Sequence, residues 1–244
     1  MNFIEHVHEP HRLLLIWQSA DGLRTRRAIA ELIRPGTGPV RLRYLTDTPD
    51  FHAACNEGFF NFPAFRKPAL TYDLGVVETF MRRLPPQTRG DYAQYLEKFR
   101  LRPETPVSDF ALLACTGAKL PSDGFSIIDP LEDIDTRCEM LLEVAGFRHV
   151  SPLSVDDIHP GARAQFVAES DNPHDADAVA MHVDGRKTGY VPRQQASAVR
   201  RLLQAQAIEA TVERANGSRE RPLVYVFARI QPLAIASVPS RWRM

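Results

Sequence analysis

ESDNPHDADAVAMHVDGRKTGYVPR, residues 169–193, decides how the second half of this chain is read. Asp171, Asn172, His174, Asp175 and Asp177 fall within seven residues. An apolar run, Val179 to Val183, follows, then the turn residues Asp184 and Gly185, then Lys187 to Tyr190. Strand, tight turn, strand is the pattern of a β-hairpin. The crowd of small acceptors stands at its mouth. Asp and Asn side chains accept hydrogen bonds from backbone amides two or three residues on, so DNP and HDAD suit a stiff turn, with Pro173 fixing one dihedral. That structural use fits Asp171 and Asp177. A calcium loop does not fit, because Pro173 interrupts the alternating ligand spacing and no Gly or distal Glu follows in register.

Working outward, the chain has 244 residues, enough for one large or two small domains. Apolar residues make up 44% and the formal charge is zero. A neutral chain is not a bulk nucleic-acid coater, whose footprint is strongly basic, although a small basic groove is compatible with it. Residues 1–136 carry a net charge of −2 and residues 137–244 a net of +2. Cys55, Cys115 and Cys138 are odd in number and far apart, with no CxxC. They signal neither a disulfide framework nor a zinc knuckle, and read as buried free thiols in a reducing cytoplasm. The start has no basic region before its short apolar run, so it reads as neither signal peptide nor membrane span.

The acid-rich connector Ile128–Thr136 divides the chain. Before it, Leu13–Trp17 reads as a strand, and Arg26–Ile33 and Val40–Leu45 flank the turn PGTG as a hairpin. In TPDFHAACNEG, Thr48 caps a helix, Pro49 suits its first turn and Gly58 its stop. Val76–Leu84 is amphipathic, and Asp91–Leu101 sets Tyr92, Tyr95, Leu96 and Phe99 on one helical face. Thr105 and Pro106 open a further helix that ends at Gly117. Phe59, Phe60, Phe62 and Phe65 read as core. His6, His8 and His11 form a weak metal pattern on a terminus expected to be flexible. After the connector, Cys138–Val144, Ala164–Ala168, Val179–Val183, Lys187–Tyr190, Ile208–Glu213 and Leu223–Ile230 read as strands. Gln194–Gln206 reads as a helix with Ala198, Leu202 and Ala205 inward. Six strands and one helix predict a small barrel or curled sheet, so the fold class is α+β.

A rigid loop carrying acceptors beside an imidazole can hold a sugar hydroxyl and a base. Single-strand recognition pairs a basic track with flat side chains on which bases stack. The candidate track is GFRH (146–149), Arg186, Lys187, Arg193 and the helix face with Arg200 and Arg201; the candidate flat groups are His149, His174 and Tyr190.

Those residues carry a resemblance. GFRHV, the E-x-DNPxDxxAV core and the turn followed by GYVPR are similar, in order and spacing, to a HIRAN domain over roughly residues 137–232. The resemblance implies an OB-like six-stranded β-barrel with a flanking helix. HIRAN domains also occur at the front of fork-remodelling helicases, and one captures the 3′ end of single-stranded DNA. Carried over by position, the pocket would use Arg148 and His149 on the strand after Gly146, with Asn172, His174 and Asp175. Asp175 would accept from the terminal 3′-hydroxyl. Tyr190 and Arg193 would line the phosphate side, and Lys187 is expected to position phosphates with Arg148 and Arg193. His149 and His174 stand where the DNA-binding member has tyrosines, and Arg219 where an aromatic stacker is expected.

In the first half, the hairpin, GFFNFPAF (58–65) and DFALLACTGAKLPSD (109–123) resemble the small N-terminal subdomain of HipA-type toxin proteins, and bacterial proteins join such a region to a HIRAN domain. The resemblance implies a scaffold or partner-binding element without kinase activity. No GxxxxGK[ST], GxSxG or HExxH occurs, and no carboxylate pair is spaced for metal-dependent cleavage. The expectation is therefore a HipA-like module at 1–130 and a HIRAN-like domain at 137–244. Together they would make a non-catalytic, cytoplasmic binder of single-stranded DNA or its 3′ ends, with no metal, cofactor or membrane partner and with residues 1–130 open to a protein partner. The competing classes are an interaction accessory of a toxin or defence system, and a hydrolase.

Overall fold

The computed structural model describes residues 2–19, 25–120, 122–151, 153–205, 207–218 and 221–231. The first half begins with β1 (Arg12–Gln18), β2 (Arg26–Ile33) and β3 (Arg41–Tyr44), followed by α1 (Pro49–Asn56) and the short β4 (Thr71–Tyr72). Then come α2 (Val76–Met81), α3 (Tyr92–Glu97), α4 (Asp109–Thr116) and β5 (Phe125–Ile128). The sheet order is β4-β3-β2-β1-β5, all neighbours antiparallel. The hairpin is therefore as expected. β5 is a strand that the sequence pattern did not predict. Its role is long-range, pairing with β1 from Leu14–Ile128 to Trp17–Phe125.

Local rules set the helix ends. The Thr48 hydroxyl accepts from the Phe51 amide at 3.2 Å and starts α1. Gly117 ends α4 in the left-handed region, φ 69°, where a Cβ is costly. The start of α4 departs from expectation. Ser108, not Thr105 and Pro106, is its cap, accepting from the Ala111 amide at 3.1 Å. The GFFNFPAF stretch is core at three of its four rings: Phe59, Phe62 and Phe65 are buried, whereas Phe60 is 86% exposed. The buried Tyr44 hydroxyl pins the stretch. It accepts from the Phe62 amide at 2.9 Å and donates to the Phe65 carbonyl at 2.6 Å.

The second half contains β6 (Cys138–Glu143), the single helical turn α5 (Phe147–Val150), β7 (Arg163–Ala168), β8 (Val179–Val183) and β9 (Arg186–Tyr190). The helix α6 (Arg193–Gln204) and the long hairpin β10 (Ile208–Ser218) and β11 (Arg221–Ile230) complete it. The order β6-β11-β10-β7-β8-β9 makes a six-stranded curled sheet. At one end its two outer strands meet through a single bridge: Ala145 and Tyr190 exchange hydrogen bonds of 2.8 Å in both directions. Gly189 permits the approach, since a Cβ there would lie 2.4 Å from the Ala145 carbonyl oxygen. In α6, Ala198 and Leu202 are buried as expected, but Ala205 is exposed, just beyond the helix end; Gln195, Ala196 and Val199 are buried residues the periodicity omitted.

Two cores result, and they are not independent. Val144, Val179, Met181, Val199, Val212, Val224 and Val226 fill the inside of the curled sheet. On β11 the alternate residues point outward. Phe227 there is buried in the core of the first half, with Leu141 of β6 packed against it. Ion pairs ring this seam. Glu143 meets Arg26 at 2.6 Å and Lys119 at 2.7 Å, and buried Glu213 meets buried Arg100 at 2.6 Å. A bulge between Val212 and Arg214 gives β10 the extra residue, Glu213, that makes this reach.

The N-terminal segment is built into the same seam, contrary to the expected flexible terminus. The Ile4 amide donates to the Arg100 carbonyl at 2.7 Å, and the Glu139 amide donates to the His6 carbonyl at 3.1 Å. The three histidines are spread along it rather than gathered: His6 lies against Glu139, His8 against Asp129, and His11 uses its carbonyl to accept from the Arg34 amide. Among the described residues no group of three or more His, Cys, Asp or Glu side chains is placed to hold a metal. The cysteines are free; Cys138 is buried, but Cys55 is exposed, against expectation. No described helix is long and apolar enough to cross a membrane.

Candidate nucleic-acid interface

The acceptor-rich loop is closed at its base by the Glu169 amide, which donates to the Ala178 carbonyl at 2.8 Å. Two side chains build the turns inside it. Asn172 Oδ1 accepts from the His174 amide at 3.0 Å, and Asp175 Oδ1 from the Asp177 amide at 2.9 Å. These are Asx turns. The structural acceptors are thus Asn172 and Asp175, not Asp171 and Asp177 as the sequence suggested. Two residues after Asp171 stands Pro173, which has no amide hydrogen to donate. Asp177 instead lies 3.8 Å from Arg200. Arg200 also donates to the Ala176 carbonyl at 2.6 Å and to Ser170 Oγ at 2.7 Å, stapling the loop to α6. Arg201 donates to the Glu132 carbonyl at 3.0 Å. Both arginines assigned to the basic track therefore have structural work.

Four side chains form one network at the loop base. Lys187 Nζ donates to Glu169 Oε1 at 2.5 Å and to the Tyr190 hydroxyl at 2.8 Å, and stands 4.4 Å from the Tyr190 ring centroid. The Tyr190 hydroxyl donates to Glu169 Oε2 at 3.1 Å. Asn172 Nδ2 reaches Glu169 Oε2 at 3.1 Å and the Tyr190 oxygen at 3.3 Å. The hydrogen bond from Lys187 holds the Glu169 carboxyl below its ordinary range. Burial pulls the Lys187 ammonium down, but the bonds to Glu169 and Tyr190 outweigh it and the net shift is upward. Glu169 is the hub that sequence reasoning missed. It opens the quoted stretch, but nothing in its spacing distinguishes a hub from another surface carboxylate.

The remaining candidates surround this network. Arg148 and His149 lie on the turn α5, not on a strand, because Gly146 adopts φ 72° and reverses the chain after β6. Arg148 Nη2 lies 3.2 Å from His149 Nε2, and both residues are exposed. The Ala145–Tyr190 bridge sets this turn beside Tyr190. Arg148 also lines an open depression of about 700 Å³ with Ser151, Asp156, Asp157 and the tip of the β10–β11 hairpin. Arg193, at the start of α6, lies 3.9 Å from Asp175 Oδ2 and 3.5 Å from Asp50 at the start of α1. Asp50 comes from the other half of the chain. His174 is exposed at the loop tip, outside the network. Arg219, the position of the expected stacker, lies outside the described residues.

The structure thus brings Asn172, Lys187 and Tyr190 into contact with one another, pairs Asp175 with Arg193, and places Arg148 and His149 next to Tyr190. At the rim, Asp175 Oδ2 is not used in the turn and stands beside the Arg193 guanidinium. A carboxylate in that position repels phosphate and accepts from hydroxyl.

The family model described as the HIRAN domain matches residues 139–230. The chain carries a HIRAN domain there, a class of nucleic-acid-binding module, and the curled sheet matches its fold. Among solved structures, the HIRAN domain of human HLTF is similar at 18% identity, with 37% of this chain and 74% of that chain covered and a TM-score of 0.29. A Lactobacillus plantarum protein is similar at 17% identity, covering 39% and 99%, with a TM-score of 0.32. No curated protein matches. The HipA-like expectation for the first half finds no support in these comparisons.

Proposed function

We propose that this protein binds single-stranded DNA through the HIRAN domain and grips exposed 3′ ends. In this reading residues 1–130 form a scaffold for the domain at 137–244. Arg148, Lys187 and Arg193 position phosphates, and His149, His174 and Tyr190 contact sugars and bases. Asn172 holds the loop, and Asp175 accepts the terminal hydroxyl. The observation that carries the reading is the setting of Asp175. One carboxylate oxygen is fixed in a turn at 2.9 Å, and the other stands beside Arg193 at 3.9 Å. A pre-positioned acceptor with a cation next to it suits a hydroxyl at the end of a phosphodiester chain.

The test measures the affinity of one oligonucleotide with a 3′-hydroxyl and with a 3′-phosphate, and of a blunt duplex. Asp175→Asn is the informative variant, because its amide oxygen can still accept from the Asp177 amide. The wild type is expected to prefer the hydroxyl end by about tenfold, about 1.4 kcal/mol. Asp175→Asn is expected to lose that preference by binding the phosphate end better. Equal affinity for all three ligands with a steep salt dependence would refute end recognition.

A protein partner for residues 1–130 is a second reading. It is favoured by Phe60 and Leu74, which stand 86% and 85% exposed. A partner whose binding survives Phe60→Ser together with Leu74→Ser would count against it.

A further inference from the structure

The seam between the two halves is not closed along its whole length. A cleft of about 290 Å³ opens there, lined by α3, α4, β1 and β5 on one side and by β6, β10, β11 and the start of α6 on the other. Four cationic residues line it: Arg26, Lys98, Lys119 and Arg214. Only two carboxylates, Glu143 and Asp129, do so among the described residues. Glu143 is already shared between Arg26 and Lys119. Burial pushes the Asp129 carboxyl up to about 7, so at neutral pH it supplies only a fraction of a charge. The cleft is therefore electropositive. It is also lined by rings. Tyr95 and Tyr225 face it, and the Arg214 guanidinium lies 4.3 Å from the Tyr225 ring centroid while donating to the Lys98 carbonyl.

The cleft adjoins the end-binding site. Tyr190 and Arg193 belong to that site, and Pro192, Gln194 and Gln195 line the cleft. Residues 190–195 are thus a short wall with one site on each flank. Glu143 of the cleft lies two residues before Ala145, the partner of Tyr190. Cations with interleaved aromatic rings are what a single strand of nucleic acid requires: phosphates pair with the charges and bases stack on the rings.

Resting on the reading of the HIRAN pocket as an end-binding site, we infer that the cleft between the halves carries the strand leaving that pocket. The first half is then part of the nucleic-acid site, through Arg26, Lys98 and Lys119. This accounts for a positive groove built by two halves of slight and opposite charge.

Lys98 is the residue to change. Its side chain is exposed and its backbone alone serves the fold, the amide donating to the Tyr95 carbonyl and the carbonyl accepting from Arg214. Affinity is measured for 3′-hydroxyl oligonucleotides from about four to about twenty nucleotides, a range spanning the site sizes of one small barrel and beyond. The wild type should gain affinity with length past the shortest oligomer. Lys98→Glu should leave the shortest oligomer unchanged and weaken the longest by about five- to tenfold. Lys98→Ala should lower the salt slope for the longest by about 0.7, the value for one single-strand phosphate contact, and Lys98→Arg should retain both. Short-oligomer binding without any length gain, or a length gain indifferent to Lys98→Glu, overturns the cleft and leaves the pocket standing. Tight binding of a mononucleotide that Lys98→Glu abolishes, with no length gain, also overturns the strand path in favour of a small anionic ligand. Failure of every oligonucleotide to bind overturns both proposals.

Discussion

Replacing Glu143 by Gln tests how the two halves are joined. Glu143 ends β6, its side chain is only 16% exposed, and its two cations both come from the first half of the chain. Arg26 and Lys119 hold its carboxyl far below the ordinary value of 4.5, at about 2, against burial that pushes the other way. A carboxyl so displaced contributes at most about 3.5 kcal/mol at neutral pH, since each tenfold in proton affinity is worth about 1.4 kcal/mol. Arg26 is 33% exposed and Lys119 47% exposed, so solvent screens both partners. An expected loss of about 2 kcal/mol in Glu143→Gln follows. Gln keeps the shape and one hydrogen bond but leaves two cations without their shared anion.

The pH dependence has a definite sign. A carboxyl depressed in the folded state stabilises above its unfolded value, and that contribution is lost as the pH falls through the folded value. The wild type should lose it between about pH 4.5 and about pH 2. Glu143→Gln has nothing to lose from this residue in that window. Urea denaturation at pH 7 and at steps down to pH 3 gives both quantities, with the midpoint shift at constant slope reporting stability. Proteolysis between β5 and β6, residues 129–137, reports whether the halves separate before either unfolds. A change below about 0.5 kcal/mol at pH 7, the range of an ordinary surface substitution, would show that Glu143 does not hold the halves together. A variant that keeps the wild-type loss of stability between about pH 4.5 and pH 3 would show the same.

Two further outcomes follow from the second half. Gly189→Ala places a Cβ 2.4 Å from the Ala145 carbonyl oxygen and 2.6 Å from Val144 Cγ1, at φ 153°. It should cost about 3 kcal/mol and break the Ala145–Tyr190 bridge; a loss below about 1 kcal/mol in the same urea series would show that the two strands need not meet. Glu169→Gln removes the anion that holds Lys187 and frees the ammonium for a phosphate. Single-strand affinity should rise several-fold, and the salt slope should steepen by about 0.7, while an unchanged slope would place Lys187 away from the strand.

The sequence by itself determined whatever depends on neighbours a few residues apart. The hairpin on PGTG, the Thr48 cap and the Gly117 stop are local effects of dihedral preference and hydrogen-bond reach. The order of motifs from GFRH to GYVPR that marks the HIRAN domain is legible for a different reason, as a pattern of residue types along the chain. The quoted loop was legible as a rigid turn for the first of these reasons, although which acceptors build it was not. Asn172 and Asp175 outcompete Asp171 and Asp177 through geometry that composition does not encode. Tertiary structure decided the rest, because the partners lie far apart along the chain. Phe227 reads as one more apolar residue in a strand until the first half covers it. Glu143 and Glu213 read as surface charges until Arg26, Lys119 and Arg100 arrive from more than twenty or a hundred residues away. Asp50 meets Arg193 from 143 residues away, and the electropositive cleft exists only where both halves contribute a wall. Burial and charge pairing across such distances follow from how two cores dock, which no periodicity or spacing within either half records.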